Sequence, residues 1–405
     1  MTKVTLQDIK DAQETIKNIV KKTDILESVK LSEITGANVF YKCENLQKTG
    51  SFKVRGACNK IANLTDKEKE NGVIASSAGN HAQGVALGAK MSGIKATIVM
   101  PATAPLAKVT ATKGYGAEVV LNGLVYDDAY AKAVELQKES GATFLHPFND
   151  KHVIAGQGTM ALEIFEQLNE KVDTILCPIG GGGIIAGVAV AAKALNPNVK
   201  IIGVQTANIP SMHESMKNGK LTSAFKATTI ADGIAVKTPG DMTFEIIKEL
   251  VDEVVVVEEN EIAQGMLFLM ENQKVVAEGS GAVTTAALLN KKYVPSEGEN
   301  VVCIISGGNV DVNTLYRVIG TALAKEGRRY SFNTVIQDKP GGLAELTKII
   351  SENDGNILSA NISRLSVGGA LGQQSAEITL ETFNKEHISS IKEAITKGGF
   401  EITAI

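Results

Sequence analysis

Apolar side chains recur at helical spacing at the start of the chain. Leu6, Ile9 and Ile16 follow Thr5, and an aspartate stands three residues after this threonine. A threonine with an acidic side chain three residues later resembles a capping box, which fixes the start of a helix. The pattern predicts an N-terminal helix that ends near Lys21.

From residue 73 onward, short β-branched runs alternate with stretches of helical periodicity. Strands are predicted at 39–42, 73–75, 96–100, 117–121, 143–145, 174–177, 200–205, 253–257 and 301–305. Helices are predicted at 82–91, 105–114, 127–139, 155–168, 184–195 and 244–250. Such alternation is typical of an α/β fold with mostly parallel, doubly wound sheets. We expect a core domain at 1–325, with a small lobe at about 45–150 and a large lobe formed by 1–44 and 151–325.

The last part of the chain follows a different order. Strands are predicted at 334–337, 356–365, 375–382 and 400–405, and helices at 343–350 and 386–395. The order β-α-β-β-α-β is that of a ferredoxin-like module. We therefore expect a linker at 326–330 and a separate domain at 331–405.

Composition narrows the classes of partner. The chain has 405 residues, with 41 Lys and Arg against 45 Asp and Glu, and a net charge of −4. It has neither a basic excess nor a basic stripe, so no nucleic-acid partner is expected. The apolar stretch 180–192 is too short to span a bilayer, and the N-terminus lacks the apolar region of a signal peptide. No two of the four cysteines form a CxxC pair, and we expect a cytoplasmic protein.

Four consecutive glycines, Gly180–Gly183, lie between a predicted strand and a predicted helix. Each glycine loses much backbone entropy on folding, so a run of four needs a compensating role. Close approach of a phosphate to the positive end of the helix supplies one. The run matches neither the Walker pattern nor the spaced GxGxxG motif. It predicts a phosphate cradle.

Three further segments carry candidate chemistry. The turn 76–81, which contains Asn80, exposes backbone amides suited to a carboxylate, although an ordinary capped turn is the alternative. Ser306 stands before two glycines at the end of a buried strand, where a helix-capping turn is again possible. Lys53 stands between Phe52 and Val54, where a helix begins. A lysine, a phosphate anchor and a partner for a ring nitrogen are what a pyridoxal phosphate site needs.

These motifs, taken together and in this order, resemble the fold-type-II pyridoxal phosphate enzymes, whose fold is that of tryptophan synthase β. The motifs are ENLQKTGSFKVRGA at 44–57, SSAGNHAQGV at 76–85, GGGG at 180–183 and SGGN at 306–309. The sequence is most similar to the threonine dehydratases, also called threonine ammonia-lyases, and AGQGT at 155–159 and TIADGIA at 229–235 strengthen the likeness. The resemblance spans residues 5–320. The segment DKPGGL at 338–343 resembles an ACT domain, a ligand-sensing module.

The resemblance implies a role for individual residues. Lys53 would hold pyridoxal 5'-phosphate as a Schiff base, and Phe52 would pack against the cofactor ring. Asn80 would bond the phenolic oxygen, and Ser306 would face the pyridine nitrogen. The phosphate would bind Gly180, Gly181, Gly182, Gly183 and the Ile184 amide. The substrate carboxylate would bind Ser77, Ala78, Gly79, Asn80 and His81.

The resemblance also implies a reaction. The amine of L-threonine would replace Lys53 on the cofactor, and the freed amine would remove the α-proton. Loss of the β-hydroxyl would give an enamine, which leaves and is hydrolysed by water to 2-oxobutyrate and ammonia. L-Serine is expected as a further substrate, and a serine-preferring dehydratase stays open, because one methyl group gives only about 1–3 kcal/mol of discrimination.

Two other functions are open alternatives. Serine racemases carry a serine where Ala78 stands, and they bind a divalent cation through acidic residues near Gln205 and Ser211. Neither position is acidic here, so we expect no racemisation and no metal requirement. A non-enzymatic, amino-acid-sensing protein would be expected to lose Lys53 or the glycine run, and both are intact.

The tail suggests regulation. An amino-acid effector would bind at Asp338, Gly341 and Gly342, since glycines at a helix N-terminus can receive a carboxylate. Isoleucine is the expected inhibitor, opposed by valine, although the module could serve only to pair subunits. The resemblance implies a homo-oligomer, tetramer or dimer. A biosynthetic and a degradative role both stay open.

Overall fold

The computed structural model describes residues 4–363 and 372–404. The predicted strand residues 364–365 and residue 405 lie outside this range. The chain separates into two compact units, 1–312 and 313–405.

The helices and strands alternate along the first unit, as an α/β fold requires. The helices are α1 (Leu6–Ile16), α2 (Val29–Thr35), α3 (Lys53–Ala62), α4 (Asp66–Asn71), α5 (Asn80–Ser92), α6 (Leu106–Gly114), α7 (Tyr126–Ser140), α8 (Lys151–Gln167), α9 (Gly183–Leu195), α10 (Ser211–Asn218), α11 (Asp241–Leu250), α12 (Glu259–Phe268) and α13 (Gly279–Leu289). The strands are β1 (Ile25–Glu27), β2 (Asn38–Cys43), β3 (Val73–Ser76), β4 (Ala96–Met100), β5 (Glu118–Leu121), β6 (Thr143–Phe144), β7 (Thr174–Pro178), β8 (Lys200–Thr206), β9 (Glu253–Val257) and β10 (Asn300–Ile305).

Two sheets organise this unit. The larger has the order β1-β2-β10-β7-β8-β9 and is parallel except for β1. The smaller has the order β5-β4-β3-β6 and is parallel throughout. Strands β3, β7 and β10 are almost wholly buried, as expected for strands covered on both faces. The predicted two-lobed α/β fold class is confirmed.

The predicted site motifs all follow the carboxyl end of a strand. The turn at 77–79 follows β3, the glycine run follows β7, and Ser306 follows β10. Ligands of parallel α/β sheets bind at these ends. The topology therefore gathers three motifs that are far apart in the sequence.

The second unit has the predicted β-α-β-β-α-β order. Its elements are α14 (Val312–Glu326), β11 (Arg329–Gln337), α15 (Gly342–Glu352), β12 (Asn356–Ser363), β13 (Gln373–Glu381), α16 (Lys385–Lys397) and β14 (Thr403–Ala404). The sheet order β12-β13-β11-β14 is antiparallel, and Phe332, Leu346, Ile378 and Ile391 form its core. The unit is ferredoxin-like, preceded by one helix.

Several predicted boundaries were wrong. Helix α1 ends at Ile16 rather than Lys21, because the amides of Ile19 and Val20 both bond to the Ile16 carbonyl and close the last turn. The predicted linker is occupied by the end of α14 and the start of β11, and only residues 327–328 connect them. The division between units lies at the start of α14, between residues 312 and 313, whereas the predicted core extends to residue 325, near the end of this helix.

A buried ion network joins β2, α3 and α8. The Arg55 guanidinium donates two hydrogen bonds to Glu44, both of 2.8 Å, and two to Glu163, of 2.6 and 2.8 Å. Lys42 Nζ donates to Glu163 at 2.6 Å and to the Thr23 carbonyl at 2.7 Å. Arg55, Lys42 and Glu44 have no exposed surface. Two cations and two carboxylates therefore compensate one another inside the protein.

Removal of the guanidinium tests this network. Arg55→Met leaves the carboxylates of Glu44 and Glu163 buried with Lys42 alone to offset them. Breaking a buried ion cluster on one side costs about 3–5 kcal/mol, because a desolvated charge loses its partner. We expect a loss of this size in the free energy of unfolding of the first unit, measured by denaturant titration with circular dichroism.

The control is Lys22→Met, because the Lys22–Glu166 pair has the same 2.6 Å contact but side chains that are 48% and 62% exposed. An exposed pair contributes at most about 1 kcal/mol. Equal, small effects of the two substitutions would contradict the role given to Arg55.

Candidate active site

Lys53 is the first residue of α3, immediately after Phe52. Its Nζ donates to the Pro147 carbonyl at 2.9 Å and lies 5.2 Å from the centre of the Phe52 ring. Burial lowers the pKa of the Lys53 amine to about 8, although the charge of Glu278 acts in the opposite direction. An amine with this pKa is partly neutral at pH 7, which a nucleophile or general base requires.

Glycines bring α3 against α8. A Cβ at Gly56 would lie 2.7 Å from the Val153 carbonyl oxygen, and a Cβ at Gly156 would lie 2.7 Å from the Arg55 carbonyl oxygen. The Gly56 amide also donates to Gln157 Oε1 at 3.2 Å. The motifs at 44–57 and 155–159 therefore meet at one helix crossing, and this crossing places Lys53.

The glycine run forms a tight turn between β7 and α9. Gly182 has φ +97°, and a Cβ at Gly181 would lie 2.3 Å from Phe148 Cδ1. Thr243 Oγ1 donates to the Gly181 carbonyl at 2.6 Å. In the described residues, the backbone amides from Gly180 to Ile184 donate to no protein acceptor. The turn is thus anchored through its carbonyl and leaves its amides for an anion.

The turn at 77–81 leads into α5 and is half-buried up to Asn80. The Gly79 amide donates to Ser77 Oγ at 3.2 Å, whereas the amides of Ala78, Asn80 and His81 have no protein acceptor in the described residues. These free donors at a helix N-terminus suit a carboxylate.

The side chain of His81 is hydrogen-bonded to the protein backbone. Its Nε2 lies 2.9 Å from the Leu145 carbonyl, which can only accept, so Nε2 carries the proton. Burial and the charge of Lys53 lower the pKa of His81 to about 3. The ring is neutral at physiological pH, and only the backbone amide of His81 is free to bind a carboxylate.

Ser306 and Asn80 lie beside groups that the sequence did not reveal. Ser306 Oγ donates to the Ser280 carbonyl at 3.3 Å, and its own carbonyl accepts from the Phe52 amide at 3.1 Å. Asn80 Nδ2 donates to Glu278 Oε1 at 2.7 Å. Burial, together with the charge of Asp232, raises the pKa of Glu278 to about 7. Sequence reasoning missed Glu278, whose only signal was an acidic residue before the small-residue start of α13.

Other residues weighed in the sequence have plain structural roles. Gln205 Oε1 accepts from the amides of Met212 and His213 at 3.0 Å each and caps α10. Ser211 Oγ donates to the Val236 carbonyl at 2.6 Å. In residues 4–363 and 372–404, no group of three or more His, Cys, Asp or Glu side chains is arranged to hold a metal. Within the same ranges no helix has the length and apolarity that crossing a membrane requires.

The predicted effector residues belong to the second unit. Gly341 has φ +91° and precedes α15, and a Cβ at Gly342 would lie 2.2 Å from the Gln337 carbonyl oxygen. The Asp338 amide donates to the Gly372 carbonyl at 2.8 Å, and Gln374 Nε2 donates to the Asp338 carboxylate. The fold itself therefore requires both glycines, whether or not an effector binds there.

The residues of the first unit fit pyridoxal phosphate. A partly neutral lysine opens a helix, an anchored glycine turn presents free amides, and a serine hydroxyl follows a buried strand. A two-lobed, doubly wound fold with these groups defines a fold-type-II pyridoxal phosphate enzyme. Residues 16–307 match the family of pyridoxal-phosphate dependent enzymes, and the chain belongs to that family.

Individual relatives agree with this class. The chain is 51% identical over 402 residues to an L-threonine ammonia-lyase of Thermotoga maritima, covering 99% of this chain and 100% of that protein. The processed form of threonine deaminase isoform 2 from Solanum lycopersicum has a TM-score of 0.74 at 38% identity, covering 78% and 87%. Maize serine racemase has a TM-score of 0.73 at 38% identity, covering 80% and 99%.

The glycine turn can be tested by filling it. In Gly181→Ala the new Cβ lies 2.3 Å from Phe148 Cδ1, so the turn must shift and its amides lose their alignment. Loss of one or two hydrogen bonds to a charged group costs about 1.5–3 kcal/mol each, and every 1.4 kcal/mol is tenfold. We expect the Kd for pyridoxal phosphate, measured by visible absorbance, to rise about tenfold or more.

Gly114→Ala is the matched control, because no heavy atom lies within 4 Å of its Cβ position at the end of α6. It should leave the Kd unchanged. An unchanged Kd in Gly181→Ala would contradict the assignment of the glycine turn to the cofactor site.

The lowered pKa of Lys53 gives a pH dependence. Burial disfavours the charged amine, so the neutral form grows as the pH rises through about 8 rather than through the ordinary value of 10.5. Acylation of Lys53 in the cofactor-free, full-length protein, followed by mass spectrometry, should be half-maximal near pH 8. Exposed lysines of the same sample are the internal reference. Parallel pH profiles for Lys53 and these lysines would contradict the prediction.

Proposed function

We propose that this protein deaminates L-threonine by β-elimination, releasing 2-oxobutyrate and ammonia, and that it also acts on L-serine. The observation that carries the proposal is the partly neutral Lys53. Its Nζ bonds to the Pro147 carbonyl, and the next residue, Phe148, packs on Gly181 of the glycine turn. The full-length likeness to an L-threonine ammonia-lyase supports threonine as the substrate.

The chain's own residues would hold the cofactor. Lys53 would bind it covalently, the amides of Gly180–Gly183 and Ile184 would bind its phosphate, and Phe52 would pack against its ring. Asn80 would donate to its phenolic oxygen, and Ser306 would face its pyridine nitrogen. When bound, pyridoxal phosphate withdraws electrons from the α-carbon of the amino acid and thereby acidifies the α-proton.

The reaction then depends on positioned protein groups. The free amides of Ala78, Asn80 and His81 would bind the substrate carboxylate and fix the α-carbon beside Lys53. Once displaced by the substrate, the Lys53 amine is neutral often enough to take the α-proton on Nζ. The uncharged hydroxyl of Ser306 would leave the ring nitrogen of the cofactor unprotonated. The weaker electron withdrawal would favour prompt departure of the β-hydroxyl.

Racemisation of serine is the second candidate. The likeness to maize serine racemase favours it. Its weakness is Ala78, which has no hydroxyl to move a proton on the second face of the substrate. The capping roles of Gln205 and Ser211 likewise leave no carboxylate for the divalent cation of the racemases. Elimination therefore takes precedence over racemisation.

The second unit is proposed to be an ACT domain that binds an amino-acid effector. Its ferredoxin-like topology and its glycine turn before α15 support this assignment. Isoleucine is the proposed inhibitor, opposed by valine, at the turn of Asp338, Gly341 and Gly342. A coupling free energy of about 1–3 kcal/mol would change threonine affinity 5- to 150-fold.

A homodimer or homotetramer is proposed as the assembly. Strand β12 lies at an edge of its sheet, and from Leu358 to Ser363 its side chains are exposed. An exposed strand edge pairs readily with another chain. Most soluble oligomers are symmetric assemblies of identical chains.

The deciding experiment measures 2-oxo acid release from L-threonine and from L-serine, with and without millimolar L-isoleucine. We expect faster turnover of threonine and suppression by isoleucine, which corresponds to a biosynthetic role. Lys53→Ala should abolish both the turnover and the absorbance of the lysine-bound cofactor. If isoleucine does not change threonine turnover, the proposed threonine deamination stands and the proposed inhibition by isoleucine is refuted. Formation of D-serine without oxo acid would establish the racemase instead.

A further inference from the structure

The Asn80 side chain lies in the middle of a hydrogen-bonded chain that crosses between the lobes of the first unit. Asn309 Nδ2 donates to the Thr49 carbonyl at 2.7 Å and to Asn80 Oδ1 at 2.8 Å. Asn80 Nδ2 donates to Glu278 Oε1 at 2.7 Å. Asn80 opens α5, Glu278 precedes α13, and Asn309 follows β10, so three separate elements meet at one amide.

The Thr49 end of this chain can only accept, and that decides which way both amides face. The Thr49 carbonyl has no proton to give, so Asn309 Nδ2 must face it. Asn309 therefore donates from both N–H groups of its amide. Asn80 must then accept on Oδ1 and donate from Nδ2. After these bonds Asn80 keeps one N–H without an acceptor in the described residues.

The backbone leaves room for the carboxylate. A Cβ at Gly307 would lie 2.5 Å from Glu278 Oε1 and 3.1 Å from Asn80 Nδ2. The Glu278 amide also donates to the Gly307 carbonyl at 3.1 Å. The turn after Ser306 must therefore be glycine at position 307 for the carboxyl of Glu278, which is only 4% exposed, to reach Asn80.

The charges around Glu278 do not prevent it from accepting the hydrogen bond of Asn80 Nδ2. Asp232 raises its pKa, and Lys108 and Lys53 lower it, while Lys108 Nζ is paired with Asp232 at 2.7 Å. A protonated carboxyl still has a carbonyl oxygen that accepts a hydrogen bond. Glu278 can thus hold Asn80 Nδ2 in either protonation state.

We propose that Glu278 and Asn309 are positioning residues that set the orientation of the Asn80 amide, so that its remaining N–H donates to a cofactor oxygen beside Lys53. The proposal rests on the assignment of Lys53 as the cofactor-bearing lysine. It adds two residues, one on each side of Asn80, that bond directly to the Asn80 amide. Their effect is exerted through Asn80.

The test compares variants that keep or remove the acceptor at position 278. Each full-length protein is titrated with pyridoxal 5'-phosphate, and the Kd and the visible circular dichroism of the bound cofactor are recorded. Glu278→Met removes the acceptor and should raise the Kd about tenfold, the equivalent of one hydrogen bond to a ligand. It should also change the visible dichroism, which reports the cofactor's orientation.

Glu278→Gln keeps an amide oxygen that accepts from Asn80 and removes only the charge. It should restore the wild-type dichroism, with a Kd within about threefold of wild type. A merely structural role for the charge would give no such rescue. A Glu278→Gln protein as weak as Glu278→Met would overturn the proposal.

Asn309→Asp tests the other end and does not depend on the folding of the Glu278 variants. A carboxylate at 309 cannot donate to Thr49 or to Asn80, and it competes for Asn80 Nδ2. We expect a loss of cofactor affinity at least as large as in Glu278→Met. Wild-type Kd and dichroism in both Asn309→Asp and Glu278→Met would refute the assignment.

Glu299→Gln is the matched control. The Glu299 carboxylate accepts from Thr174 at 2.5 Å and from Tyr293 at 2.7 Å, but it lies at the opposite end of β10 from Ser306. It should leave Kd and dichroism unchanged. Because both readouts concern the cofactor alone, they test the proposal even if threonine is not the substrate. A wild-type protein that binds no pyridoxal phosphate would instead refute the proposed function.

Discussion

The buried pairing of Arg55 with Glu44 and Glu163 is the constraint on which the site depends. Arg55 lies two residues after Lys53, in the first turn of α3. Its guanidinium has no exposed surface, and burial would raise the pKa of Glu44 if the charge of Arg55 did not lower it below its usual range. Any shift of α3 would separate these charges in a medium that solvates them poorly. The direction in which Lys53 enters the site is therefore fixed by the buried ion pairs of Arg55 with Glu44 and Glu163.

Close backbone contacts make that placement possible. Gly56 and Gly156 let α3 approach α8, and Gly158 and Gly187 do the same for α8 and α9, where a Cβ at Gly158 would lie 2.7 Å from the Gly187 carbonyl oxygen. Helix α9 begins with the glycine turn. The lysine and the glycine turn are thus connected through one helix, α8, on which both α3 and α9 pack.

The sequence predicted the parts of the site that are contiguous and missed those that the fold assembles. Lys53, Asn80 and the glycine run each stand at an element boundary that periodicity identifies. Glu278 meets Asn80 across 198 positions of sequence, and no local pattern reports that contact. Helix α13 was not predicted because it is buried on every side and shows no polar face, and α4 was not predicted because it has no apolar one. Amphipathic periodicity gives its clearest signal for helices that are buried on one face.

Burial acts on Lys53 and Glu278 in a way that suits proton transfer. The ordinary pKa values of a lysine and a glutamic acid are 10.5 and 4.5, whereas Lys53 has a pKa of about 8 and Glu278 one of about 7. Desolvation penalises the charged form of each, so it lowers one value and raises the other. Their mutual attraction opposes both shifts, but burial prevails. The enclosed site thus brings an amine and a carboxyl, far apart in water, to within about one pKa unit of each other near neutral pH, where a proton on Nζ can be gained and lost at small cost. The burial that lowers the pKa of Lys53 therefore suits the base role proposed for it.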